Sequence, residues 1–304
     1  MNRGLATAVA IVGLIALGDG AVAQALEVVT RQNIAYAERD GTTLAGDLYR
    51  PQGIEKPPVL VAVHGGGWQG GNRTIYRHWG PYLAKHGYAV FAISYRLSKP
   101  GAKSYPDAVY DVKAAVQYVR ARAGELGVDP ERIMLMGDSA GAHLAALTAL
   151  AGSEPQFSSE YQTDPNAAVS PGVRAVVGFY GVYDMQAQWH HDQITRPRDQ
   201  ITEKFLGGSP MLIRRAYFDA SPLSYTTVDK NRTRFMLVYG MVDDIVDPAT
   251  QSQKFLTALK QAGFFARSVA VPGAGHFWVA DPVDEGSYGA AAAPHILRFL
   301  EGSR

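Results

Sequence analysis

Residues 133–151 read IMLMGDSAGAHLAALTALA. Ile133 to Met136 is a short apolar run that suits a buried strand, and Ala140 to Ala151 is an alanine- and leucine-rich stretch that suits a buried helix. Between them stands Gly137-Asp138-Ser139-Ala140-Gly141, a G-x-S-x-G motif in a strand–turn–helix setting. Such a turn is so sharp that a side chain two residues to either side of the serine would meet neighbouring backbone. The serine is held in a strained conformation with its hydroxyl raised above the sheet, which makes Ser139 a candidate nucleophile.

Working outward, the same alternation continues in both directions. Val59 to Val63 is a continuous apolar run, as is the segment from Tyr88 to Tyr95, and both suit strands buried on two faces. Asn33–Ala37 and Thr43–Tyr49 read as two strands joined by a turn at Asp40-Gly41. Val109, Val112, Val116 and Val119 recur at helical spacing and predict a helix over 106–122, with Pro106 in its first turn. Val173–Tyr180, Arg234–Tyr239 and Ala266–Val271 read as further strands. Pro248–Ala262 reads as a helix stopped by Gly263, and Ala290–Leu300 as a last helix whose start Pro294 is expected to delay. Strands alternating with helices predict an α/β fold with a mainly parallel sheet. Two segments break the rhythm: Gly152–Gly172, which is polar and loop-like, and the stretch from Met185 to Arg232. The second is expected to form a small cap or substrate-facing insertion, with Trp189 and Phe205 as aromatic walls among His190, His191, Asp192, Arg196, Arg198 and Asp199. No linker divides the chain, so residues 24–304 are expected to form a single domain.

Composition narrows the chemistry. The 304 residues carry 29 Lys+Arg against 28 Asp+Glu, a net charge of +1, so no basic field points to a nucleic-acid partner. The chain has no cysteine, which removes disulfides, thiolate metal sites and a cysteine nucleophile together. At the N-terminus, Arg3 precedes an uncharged stretch from Gly4 to Gly18, shorter than the roughly 20 residues that span a bilayer. Ala21-Val22-Ala23 then fits an A-x-A cleavage site. Residues 1–23 are therefore expected to be a secretory signal peptide, cut before Gln24 or, alternatively, before Leu26. A periplasmic or secreted protein follows from that reading, with no stable membrane anchor after processing.

Other loops that follow strands supply partners for the serine. His64-Gly65-Gly66-Gly67-Trp68 comes directly after Val59–Val63. Attack on an acyl carbonyl makes a tetrahedral oxyanion, and each aimed donor is worth about 2.7–4 kcal/mol. Gly66, Gly67 and the N–H of Ala140 are the expected donors of an oxyanion hole, and His64 is expected to brace their loop. A hydroxyl also needs a base. Of the eight histidines, His276 has the best setting, in Gly273-Ala-Gly275-His276 past the strand Ala266–Val271. His143 lies one helical turn after Ser139 and reads as packing; His190 and His191 read as a surface pair or substrate contacts; His78, His86 and His295 read as structural. The base needs an orienting carboxylate. Asp243, Asp244 and Asp247, all beyond the strand Arg234–Tyr239, compete for that place.

Taken together, HGGGW, GDSAG, GMVDDIV and GAGHF resemble the α/β-hydrolase esterases. More narrowly, they resemble the bacterial carboxylesterase branch related to hormone-sensitive lipase, and its feruloyl-esterase-like group. The segments from Asp129 to Leu147 and from Ser94 to Leu97 are also typical of that group, and the tryptophan of HGGGW is similar to that in the HGGxW loop of kynurenine formamidases. The resemblance covers about residues 33 to 302 and departs from the pattern mainly in 185–232. It implies a roughly eight-stranded sheet, the chain order Ser, acid, His, and no cofactor or metal. The family pattern G-x-x-D-x-x-V aligns Gly240, Asp243 and Val246, which makes Asp243 the triad acid and leaves Asp244 towards solvent and Asp247 as a helix cap. The expected activity is hydrolysis of small to medium carboxylic esters, the only partner called for being that small-molecule substrate. A formamidase-like small-amide hydrolase uses the same residues and is the alternative. A non-enzymatic binding protein on this fold is disfavoured by the intact set Ser139, Asp243, His276.

Overall fold

The computed structural model describes residues 26–303, so the predicted signal peptide and its cleavage site lie outside the described residues. Eight strands form one sheet: β1 (Val28–Arg39), β2 (Thr42–Pro51), β3 (Val59–Val63), β4 (Ala89–Ile93), β5 (Ile133–Asp138), β6 (Ala175–Phe179), β7 (Arg234–Gly240) and β8 (Ala266–Val271). Their order is β1-β2-β4-β3-β5-β6-β7-β8. The β1–β2 and β2–β4 pairs are antiparallel, and every later pairing is parallel. This is the mainly parallel eight-stranded sheet expected from the sequence. The hairpin β1–β2 turns at Asp40-Gly41, as its residues suggest, but both strands run several residues further than predicted.

Helices α1 (Trp79–Lys85), α2 (Asp107–Ala121), α3 (Ala123–Leu126), α4 (Ala140–Ala151), α5 (Met185–Thr195), α6 (Ile201–Leu206), α7 (Arg214–Asp219), α8 (Lys254–Gln261) and α9 (Tyr288–Glu301) complete the described chain. Alternate residues of the central strands feed two cores. Val59, Val61 and Val63 of β3, with Ile133 and Leu135 of β5, pack against α2, α4 and α8 through Val112, Leu144 and Phe255. Leu60, Ala62, Met134 and Met136 point the other way, onto α1 and α9 through Leu83 and Ile296. The period of two within continuously apolar strands is what a sheet covered on both faces requires.

Three expectations need correction. Pro294 lies inside α9 instead of delaying it; Ser287 caps the start by accepting from Ala290 N–H at 3.0 Å. Pro294 stands on the exposed side of the helix, so the carbonyl that its missing N–H leaves free is not sealed in the core. The predicted helix 248–262 opens with a π-turn at Ala249–Gln253 before α8. That irregularity lets the buried Gln251 side chain turn towards the 183–184 backbone, where Oε1 accepts from Tyr183 N–H at 2.7 Å and Asp184 N–H at 2.9 Å. Pro106 sits just before the first turn of α2 and not within it. The segment expected to form a small cap or substrate-facing insertion carries α5, α6 and α7.

Candidate active site

Every predicted site residue follows a strand, at the carboxyl ends of the parallel sheet, where α/β proteins bind ligands. Ser139 is the turn between β5 and α4, with φ of 51° and ψ of −120°, a conformation that costs a non-glycine residue on the order of 1–3 kcal/mol. The turn is locked from two sides. Ser139 N–H donates to Phe179 O at 2.8 Å, and Gly141 brings α4 so close to β3 that a Cβ there would overlap the Val63 carbonyl oxygen.

The loops after β7 and β8 are clipped together, Val242 N–H donating to Ala274 O at 3.1 Å. This register sets Asp243 beside His276. His276 Nδ1 and Asp243 Oδ2 are 2.7 Å apart, and His276 Nε2 and Ser139 Oγ are 2.9 Å apart. An ionised carboxylate only accepts, so Nδ1 carries the proton and Nε2 is free to accept from the serine hydroxyl. Asp243 Oδ1 in turn accepts from the N–H groups of Ile245 and Val246, both at 3.0 Å. The Asp243 side chain is fully buried and that of His276 is 2% exposed. Asp244 is exposed, and Asp247 caps the following turn by accepting from Thr250 N–H at 3.0 Å. Of the three acids, Asp243 is the one whose side chain contacts His276, which is the placement that the family pattern implies.

The glycine loop after β3 is held from behind. Gly65 N–H donates to Asp138 Oδ1 at 3.0 Å, as does the Tyr76 hydroxyl. Burial pushes the Asp138 carboxyl up to about 6, against the pull of these two donors. Gly66 has φ of 112°, which excludes other residues, and its carbonyl accepts from Gln69 and Gly70. The Gly66 and Gly67 N–H groups have no protein acceptor among the described residues. With the first amide of α4, at Ala140, they line one cavity of about 550 Å³ together with Ser139 and His276.

His64 braces this loop as expected: it is buried, stacked on Tyr95 at 4.4 Å, with Nδ1 2.7 Å from Gly65 O. His143 is buried too, and does more than pack. Its Nδ1 accepts from Trp68 Nε1–H at 3.1 Å and its Nε2–H donates to Ala220 O at 2.7 Å, joining the glycine loop to the insertion. Burial lowers both imidazoles to about 4, so both are neutral in the fold. The sign of the resulting pH dependence follows. Stability from His64 and His143 is present above their unfolded value of 6.5 and is lost as pH falls towards about 4, by about 3 kcal/mol for each at most. Asp138 works in the opposite sense, its contribution being complete in acid and lost as pH rises through about 6. Thermal unfolding of the wild type should therefore move to lower temperature between pH 6.5 and 4, and His143→Gln should show a shallower acid slope. An equal slope in the variant would contradict the neutral, buried imidazole.

The insertion supplies the opposite wall, but not through the aromatics expected. Trp189 turns away and donates to Glu203 Oε1 at 2.7 Å, and Phe205 lies beneath the glycine loop, stacked on Trp68 at 4.5 Å. Val182, Ile201, Ile245, Val246 and the exposed Phe277 form the apolar lining. Asp192, Arg196, Arg198 and Asp199 line it as anticipated, joined by Gln188. His191 binds the Asp244 carbonyl at 2.8 Å, and neither it nor His190 lines the cavity. Asp138 and Gln188 were not singled out from the sequence as site residues. The position of Asp138 within G-x-S-x-G was the available signal for one; nothing in the sequence marked the other.

The chain is 33% identical over 239 residues to the probable carboxylic ester hydrolase LipM of Mycobacterium tuberculosis, covering 75% of this chain and 51% of that one. It is 33% identical over 252 residues to esterase LipQ of the same organism, covering 82% and 57%. It thus spans little more than half the length of these curated relatives. Among solved structures, the native Est2 esterase of Thermogutta terrifontis superposes with a TM-score of 0.68 at 26% identity, over 92% of this chain and 91% of that one. Est2 has also been solved with propionate bound and with butyrate bound. The BD-FAE family model matches residues 46–259, from β2 through α8 and therefore across Ser139, the glycine loop and Asp243, and the chain belongs to that family of the α/β-hydrolase fold.

Proposed function

We propose that this chain is a serine carboxylesterase acting on small to medium esters. The observation that carries the reading is the hydrogen-bonded line Ser139–His276–Asp243 opening onto a cavity rimmed by unused backbone N–H groups. His276 Nε2 takes the Ser139 proton as Oγ adds to the ester carbonyl, and the oxyanion is held by Gly66, Gly67 and Ala140. Asp243 keeps the imidazole in the required tautomer and stabilises its cation. Collapse expels the alcohol, protonated by His276, and leaves an acyl-Ser139. Water, deprotonated by the same imidazole, then releases the acid and restores the serine. Protons pass only between Ser139, His276, the leaving alcohol and water, so the cycle calls for no cofactor.

A short acyl group is supported by the charged insertion above the cavity and by the binding of propionate and butyrate to Est2. kcat/KM for p-nitrophenyl butyrate should exceed that for the palmitate by at least about tenfold at matched, soluble concentrations, with simple amides slower than either. Palmitate cleaved faster than butyrate would overturn the short-chain reading in favour of a lipase. N-formylkynurenine outrunning every ester would replace the esterase with a formamidase.

A further inference from the structure

Beside the main cavity lies a second depression of about 630 Å³, lined in part by Lys99, Lys103, Lys204 and Glu203. Gln69 and Lys204 line both hollows, so the two are adjacent. The charges in the second are mainly positive, three lysines against the single carboxylate of Glu203. Lys99, Lys103 and Lys204 are exposed and have no ion-pair or hydrogen-bonding side-chain partner, and Arg198 at the edge of the main cavity is equally unpaired. Glu203 accepts from the neutral Trp189 indole and keeps its charge, while on the main-cavity side Asp192 accepts from Gln188 and Arg196, the latter also 3.8 Å from Asp199. Unpaired cations gathered round one concavity repel each other, whereas an ordinary surface intersperses the two signs.

The backbone that carries two of these lysines is fixed in advance. Lys99 and Ala102 exchange both backbone hydrogen bonds, at 2.8 and 2.9 Å, across Pro100-Gly101. Ser98 N–H donates to Trp68 O at 2.8 Å and so ties the turn to the glycine loop. Buried Ser98 and Ser104 bond through their hydroxyls at 2.8 Å, and Tyr105 N–H donates to Phe205 O of α6 at 3.2 Å. The stem of Lys103 lies across Gly207 just after α6. A ligand entering the depression thus orders lysine side-chain ends but no loop, which keeps the entropic cost of binding low.

We propose that this depression is a subsite for a carboxylate on the part of the ester remote from the scissile bond. The inference rests on the esterase reading and deepens it: the preferred substrates are anionic esters, such as half-esters of dicarboxylic acids or acylated hydroxy acids. The test compares two such series, of graded length, with neutral esters of the same length, in wild type and in Lys99→Gln/Lys103→Gln, at low and high ionic strength. At low salt at least one anionic ester should exceed its neutral counterpart in kcat/KM by about fivefold or more, mainly through KM. That preference should fall with added salt and in the double variant, while neutral-ester hydrolysis stays unchanged. Neutral esters cleaved with no anionic preference, or a preference that survives the double variant, would overturn the subsite alone. Failure on neutral and anionic esters alike would overturn the esterase reading beneath it.

Discussion

Ser139→Ala should lose at least about 10³-fold in kcat on p-nitrophenyl butyrate while its thermal unfolding stays near that of the wild type. The size of the loss follows from the way such groups act as a unit: without Oγ there is no acyl-enzyme, and only binding and the oxyanion donors remain to assist water. Retention of the fold follows from the turn itself. Its shape is set by Ser139 N–H on Phe179 O and by the approach of Gly141 to Val63, neither of which uses the hydroxyl. Removing Oγ leaves His276 Nε2 facing the cavity, where water can reach it. Steady-state rates and unfolding scans on the same preparation check both halves. Activity near wild type, with contamination excluded, would contradict the mechanism.

Asp243→Asn should cost on the order of 10⁴-fold in kcat, by analogy with the measured loss when a triad aspartate becomes asparagine. An amide nitrogen facing His276 Nδ1 would favour the other tautomer, with the proton on Nε2, where it cannot accept from Ser139. The amide can still accept from Ile245 and Val246 through its oxygen, so the loop keeps its shape. Asp244→Asn, at an exposed carboxylate whose backbone carbonyl alone is used, should change kcat by less than about threefold. Asp247→Asn should lower stability by about 1 kcal/mol or less, with little effect on kcat. Comparison of kcat and unfolding midpoints across the three variants reads the loop directly; greater damage to kcat from Asp244 or Asp247 would show that Asp243 does not orient the base.

Much of this arrangement was legible because its determinants are local. Val59–Val63 and Ala140–Ala151 match their elements to the residue, since an unbroken apolar run and a helix-forming run bounded by special turns admit few alternatives. The residues after β3, β5, β7 and β8 converge because a parallel sheet puts all these strand ends on one edge. What failed depends on contacts distant in sequence. Pro294 reads as a breaker until it is known to face solvent in a helix already capped by Ser287. The π-turn at Ala249–Gln253 reflects what Gln251 binds some seventy residues upstream. Trp189 and Phe205 look like pocket walls by type, yet Glu203 and Trp68 draw them out of the lining. The partners of Asp138, Gly65 and Tyr76, both lie in the distant connection between β3 and α1, so its place within G-x-S-x-G marks it as near the site without showing what it holds.

Titration with paraoxon tests the central claim most directly, because it needs no knowledge of the natural ester. Phosphorylation requires a serine made nucleophilic by its base and an oxyanion hole to receive the phosphoryl oxygen, the same groups that ester cleavage uses. Intact-mass and peptide mapping should find one diethylphosphoryl group per chain, on Ser139, formed as activity is lost and absent from Ser139→Ala. A chain that remains unmodified, or that is modified elsewhere while Ser139 stays free, would contradict the assignment of Ser139, His276 and Asp243 as a working nucleophilic site.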